Sequence, residues 1–102
     1  MTTRHALLLV GLAALAGAAQ AARHEVVIEG MAFKPATLAV KRGDVVTWTN
    51  KDVVPHTVTS AGHFDSKQVD PGKHWSWTAR GDGHVGYVCT YHPGMAGTVE
   101  VE

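Results

Sequence analysis

A single cysteine, Cys89, stands in the whole chain, so no internal disulfide can brace it. Basic residues never gather into a run: Lys and Arg number 9 against 9 Asp and Glu. Without a basic stripe there is no groove suited to nucleic acid. No apolar run reaches the ~20 residues of a membrane-spanning helix. The longest, Ala6 to Ala19, has 14. Beyond it, no segment carries a helical apolar period of useful length. These absences argue against a disulfide-stapled scaffold, a nucleic-acid binder, a helix-anchored membrane protein and a helical bundle.

The apolar run itself reads as a leader. Arg4 and His5 make a short basic start, and Ala19-Gln20-Ala21 is the small-x-small pattern that signal peptidase cuts after. Cleavage after Ala21 divides the chain into a signal peptide, 1–21, and one small domain, 22–102, of 102 − 21 = 81 residues. Loss of Arg4 leaves eight Lys or Arg against nine Asp or Glu, a formal charge of −1. The leader points to export, into the periplasm. A lone thiol in an oxidising compartment is a liability unless something holds it. That oddity is the first pointer to a metal.

From Ala22 onward the signals are those of strands. Val26 and Ile28 alternate, as do Leu38 and Val40, Val46 and Trp48, Trp75 and Trp77, Val85, Tyr87 and Cys89, and Val99 and Val101. Val58 follows His56 in a further short run. Turn residues punctuate the gaps: Lys34-Pro35, Arg42-Gly43-Asp44, Asn50-Lys51-Asp52, Asp70-Pro71-Gly72, Gly81-Asp82-Gly83 and Pro93-Gly94. About seven short strands so spaced predict an all-β, Greek-key β-sandwich or barrel. The expected core is Leu38, Val40, Val46, Trp48, Trp77, Val85, Tyr87 and Val99. Such a core is marginal by itself, so a ligand bound only by the folded state would add to stability.

The stretch Cys89-Thr90-Tyr91-His92-Pro93-Gly94-Met95 sets a thiolate, an imidazole and a thioether at spacing C-x-x-H-x-x-M between two expected strands. A tight loop there can aim all three at one point. Two His, one Cys and a distant axial Met form the blue-copper donor set. His56, at a loop-to-strand junction behind Pro55, is the best candidate for the second imidazole. Taken singly, a buried Cys is more often a small hydrophobe, a loop His a surface residue and a Met after Pro-Gly a packing residue. Their coincidence in one exported β-rich chain points instead to one copper ion held by His56, Cys89, His92 and Met95. His63, His74 and His84 have no neighbours at catalytic spacing and read as surface residues.

The chain resembles the cupredoxins, and among them the amicyanin and plastocyanin branch. Met31-x-Phe33, Leu38-x-Val40, Gly43-Asp44-x-Val46-x-Trp48-x-Asn50, Pro55-His56, Gly86-Tyr87-Val88-Cys89 and Gly97-Thr98-Val99 carry the resemblance across most of residues 22–102. It implies a type 1 copper cycling between Cu(I) and Cu(II), with His56, Cys89 and His92 as strong ligands and Met95 as the weak axial one. It also implies brief docking of redox proteins, a dehydrogenase or a cytochrome, near His92. Pro93, Gly94 and Pro55 would form its rim, with Met31 nearby. Two positions depart from the family pattern. Thr57 stands where Asn commonly ties the ligand loops together, and the Thr57 and Thr90 hydroxyls are expected to tie them instead. Tyr91 stands where Pro often precedes the second His.

The function expected is that of a monomeric electron carrier, not an enzyme. The alternative is a copper-delivery protein, which must release the metal that a carrier keeps. An oxidase or reductase would need further copper sites and a longer chain. One more motif lies at the new amino terminus. Ala22-Arg23-His24 could wrap Cu(II) or Ni(II) in a square plane of nitrogens. The reading favoured for function is that His24 simply opens the first strand with its backbone paired.

Overall fold

The computed structural model describes residues 20–102. The expected leader lies outside the described residues except for its last two, Gln20 and Ala21. Among the described residues no helix is long and apolar enough to cross a membrane.

Among the described residues nine strands build two mixed sheets packed face to face. They are β1 Arg23–Ile28, β2 Phe33–Lys34, β3 Thr37–Val40, β4 Val45–Asn50, β5 His56–Ser60, β6 Phe64–Val69, β7 His74–Thr78, β8 Gly83–Val88 and β9 Ala96–Val101. One sheet runs β2-β1-β4-β7 and the other β3-β9-β8-β5-β6. Two crossovers set strands parallel, β1 with β4 and β3 with β9. The period-2 alternation does the sorting: in β4, Val46, Trp48 and Asn50 point inward while Val45, Thr47 and Thr49 are half-exposed.

Seven of the eight expected core residues are buried. Leu38 is the exception and packs only partly against the cluster. It lies on β3, an edge strand, where one flank has no neighbour to cover it. Val26, Ile28, Phe33, Val58, Ala79 and Val101 complete the apolar interior, and Cys89 and Met95 belong to the same cluster. Trp48 sits at its centre, edge-on to Tyr87 at 5.3 Å and within 5.7 Å of Phe64. Such aromatic pairs add roughly 0.5–1.5 kcal/mol each beyond their burial.

Two strands exceed the seven expected. β2 is two residues long and too short to show a period. β6 carries Asp65, Ser66, Lys67 and Gln68, with no apolar alternation. It pairs with β5 across a register shift between Thr57 and Thr59, and Lys67 takes a left-handed φ of 59°. An irregular edge strand of polar residues leaves no trace in hydropathy.

Candidate metal centre

Three strands converge on one end of the sandwich. His56 opens β5, and Cys89 follows the last residue of β8. The two strands are neighbours, with Thr59 opposite Val88, so the sheet itself brings the imidazole beside the thiol. Residues 89–95 then turn back into β9. Cys89 N–H donates to Met95 O at 3.0 Å and Met95 N–H to His92 O at 3.1 Å, closing the loop on itself. That closure holds Cys89, His92 and Met95 on one short bend.

The Cys89 Sγ lies 3.6 Å from His56 Nδ1 and 3.4 Å from His92 Nδ1. The three donor atoms all fall within 4.8 Å of one another, and among the described residues no other group of three His, Cys, Asp or Glu does so. His56 is fully buried, Cys89 is buried and His92 is half-exposed. The Thr57 amide donates to Sγ at 3.3 Å, placing a fixed dipole on the sulfur. It favours negative charge there.

His56 Nε2 donates to Asp52 Oδ2 at 2.8 Å. A carboxylate can only accept, so the proton rests on Nε2 and the lone pair of Nδ1 faces the sulfur. The Asp52 carboxylate also accepts from the Gly30 amide at 2.7 Å and the Met31 amide at 3.0 Å. Partial burial works to raise its carboxyl, but the Met31 amide, His56 and the Gly30 amide outweigh burial and hold it below the ordinary carboxylate range. Asn50, fully buried, sets the loop that carries Asp52: Nδ2 donates to Val54 O and Val69 O, and Oδ1 accepts from Asp52 N.

The hydroxyl tie between the ligand loops is present. Thr57 Oγ1 meets Thr90 Oγ1 at 3.1 Å and accepts the Thr90 amide at 2.9 Å. Thr59 Oγ1 adds a third contact to Thr57 Oγ1 at 3.0 Å. Tyr91, in the position where Pro is common, reaches out instead and donates its hydroxyl to Gln68 Oε1 at 2.8 Å, fastening the loop to β6. His63, His74 and His84 are exposed, as expected, and His84 pairs with Glu100 at 3.3 Å. Met95 is buried in the same cluster as Cys89. Asp52 escaped the sequence reading because it sits in a turn whose composition already explained it, and Asn50, the inward-pointing last residue of β4, stood out only as a turn and resemblance residue. The cue was a carboxylate four residues ahead of a loop histidine.

One thiol, two imidazoles and a neighbouring thioether, with no carboxylate among the inner donors, suit copper in both oxidation states. The backbone N–H aimed at the sulfur and the ring proton fixed away from it fit the same ion.

Comparison with known proteins agrees. The model of the copper-binding plastocyanin/azurin family matches residues 20–102. Amicyanin-alpha of Methylorubrum extorquens is 36% identical over 94 residues, 82% of this chain and 76% of its own. The chloroplastic plastocyanin of Tetradesmus obliquus is 36% identical over 88 residues; the match takes in 71% of this chain and spans 59% of the plastocyanin's length. Among solved structures, the Cu(I) form of an amicyanin variant superposes with a TM-score of 0.74 at 35% identity, covering 85% of this chain and 88% of its own. The chain therefore belongs to the plastocyanin/azurin family of copper-binding proteins, and is a cupredoxin with one type 1 copper centre.

Proposed function

We propose that the protein is exported and carries single electrons between redox proteins through a copper held by His56, Cys89, His92 and, weakly, Met95. The observation that carries this reading is the buried Cys89 Sγ with two Nδ1 atoms at 3.4 and 3.6 Å. Bound copper would supply a one-electron couple. The chain's own residues hold the donor geometry: Asp52 fixes the His56 tautomer, Thr57 N–H supports charge on the sulfur, and the Thr57–Thr90 pair locks the two loops together. Donors so held need move little when the charge of the site changes. That suits electron transfer better than metal release, and it is the ground for preferring a carrier to a copper-delivery protein.

His92 is the donor nearest solvent, and Tyr91, Pro93 and Gly94 beside it are exposed. An apolar rim of that size suits brief docking with a redox protein, a dehydrogenase or a cytochrome, in place of a lasting complex. Export to the periplasm rests on the leader pattern in 1–21. The charge-transfer band of a copper thiolate and a reversible one-electron wave in voltammetry test the carrier reading. Rapid loss of copper to a chelator, with no reversible wave, would favour delivery.

A further inference from the structure

Away from the metal centre, at the start of β1 and β4, lies a cleft of about 350 Å³ whose lining includes Gln20, Ala22, His24, Lys41, Asp44 and Glu102. Asp44 is the buried charged group of that lining, only 6% exposed. Its Oδ1 accepts from Ala22 N at 2.9 Å, and its Oδ2 accepts from His24 Nε2 at 2.9 Å and from Lys41 N at 3.0 Å. The His24 imidazole, with the Lys41 and Ala22 amides, draws its carboxyl down to about 2. Ala22 O accepts from Val45 N at 3.0 Å, and Arg23 and His24 stand opposite Val45 and Val46 in the parallel ladder.

Ala22 is also the residue that cleavage after Ala21 would expose. Removing the leader turns its amide nitrogen into an ammonium at a point where a carboxylate already waits. The same three residues, Ala22-Arg23-His24, could otherwise chelate Cu(II). For that, the ammonium must lose a proton, the Arg23 and His24 amides must each lose one, and the imidazole must swing into their plane. Asp44 holds the terminal nitrogen and, through Nε2, the imidazole ring, so neither end is free to move into that plane while these bonds persist, although the Nδ1 that would ligate is itself unbonded among the described residues.

We propose that Asp44 locks the processed amino terminus, holding the Ala22 ammonium and the His24 imidazole on one carboxylate, and so keeps Cu(II) off Ala22-Arg23-His24. The proposal rests on cleavage after Ala21. Opening the lock costs Cu(II) binding there roughly tenfold or more, the worth of one charge-assisted hydrogen bond.

The test uses the copper-loaded protein exported and processed from the full-length gene, titrated with added Cu(II) and followed by EPR. The blue signal reports that the fold and the buried site are intact. The expected result is a second, tetragonal signal that appears in Asp44→Ala at copper concentrations roughly tenfold or more below those the unmodified protein needs. It should vanish again in Asp44→Ala/His24→Ala. Should Asp44→Ala lose its blue signal, Asp44→Asn serves: its amide oxygen can still accept from Lys41 N while the charge is gone. Equal binding in the unmodified and Asp44 variants, or no tetragonal signal in either, overturns the lock. The mass of the exported protein tests cleavage separately. If the first residue is not Ala22, the cleavage reading fails, and the same titration on a chain produced to start at Ala22, which contains all nine strands, decides the lock.

Discussion

Two aspartates stand at opposite ends of the same parallel pair, β1 and β4, and each holds a histidine by Nε2. Asp44, just before β4, holds His24 at 2.9 Å; Asp52, just after it, holds His56 at 2.8 Å. Each also accepts backbone amides from the chain beside β1, Ala22 at one end and Gly30 and Met31 at the other. The pairs are alike in chemistry and differ in what the other ring nitrogen meets. His56 is fully buried and turns Nδ1 toward the Cys89 thiol, whereas the His24 side chain is 24% exposed and its Nδ1 meets no hydrogen-bond partner among the described residues. A carboxylate–imidazole pair therefore becomes part of a metal centre only where the freed nitrogen faces a second donor in a dry place. Elsewhere it is a clasp on a strand end.

The largest effect expected separates the two ends outright. Cys89→Ala removes the thiol that only one end possesses, so the blue charge-transfer band should vanish while the apo protein keeps its β-sheet circular dichroism. His24→Ala should leave the band untouched. Visible absorption of the two copper-treated proteins makes the comparison, and an intensely blue Cys89→Ala protein would sink the site assignment.

Between the ends, packing rules. A Cβ placed on Gly97 would overlap the Cζ and Oη of Tyr87, which lies across β9 and is itself edge-on to Trp48. Gly97→Ala should cost about 1–3 kcal/mol by overpacking. Denaturant melts monitored by Trp fluorescence check it. A loss of stability with an unchanged blue spectrum is expected, since the donors are tied by their own loop bonds.

Smaller again is the effect of charge beside a ligand. Asp52→Asn removes a negative charge one hydrogen bond from His56, and the Asn NH₂ cannot accept the Nε2 proton. The oxidised centre, with the larger positive charge, loses more than the reduced one, so the midpoint potential should rise. A tenfold shift in that balance is about 60 mV for one electron. Asp44→Asn, the same change at the other end, should leave the potential where it was. Equal potentials for all three proteins would show that Asp52 acts on the loop alone.

The sequence made the copper end far more legible than its twin. Cys89, His92 and Met95 fall within seven residues of one loop, so their spacing alone declares a site, and β4, β8 and β9 announce themselves by strict alternation. His56 needed the fold to reach Cys89, yet its place behind Pro55 in a loop-to-strand junction was enough to single it out. The aspartates were not legible. Each lies in a turn rich in Asp, Asn and Gly, where a polar residue needs no further reason. What sets Asp44 apart is the parallel pairing of β1 with β4, a contact between segments about 22 residues apart that local pattern does not report. Asp52, by contrast, lies only four residues before His56 and is completed by the Gly30 and Met31 amides from the far end of β1. β6 stayed hidden for the opposite reason: its residues are polar on an edge, and only its backbone bonds make it a strand.

The smallest effect lies at the clasp. The carboxyl of Asp44 is drawn from 3.8 to about 2, first by His24 and then by the Lys41 and Ala22 amides. A carboxyl with a lowered folded value binds protons more weakly folded than unfolded, so its contribution is full above the unfolded value and fades as pH falls. For Asp44 the fading should run from about pH 4 down to pH 2. Asp44→Asn cannot titrate and should show a flatter stability profile across that window, starting lower at pH 5 and converging on the unmodified protein near pH 2. Urea melts of the copper-free proteins at steps of half a pH unit measure the gap. Asp52 is lowered too and fades in the same direction. The double variant should therefore be flatter than either single one, and additive, because the two clasps share no partner. A gap between Asp44→Asn and the unmodified protein that stays constant from pH 5 to pH 2 would mean that the His24–Asp44 contact stores no charge energy and that the two ends differ even in this respect.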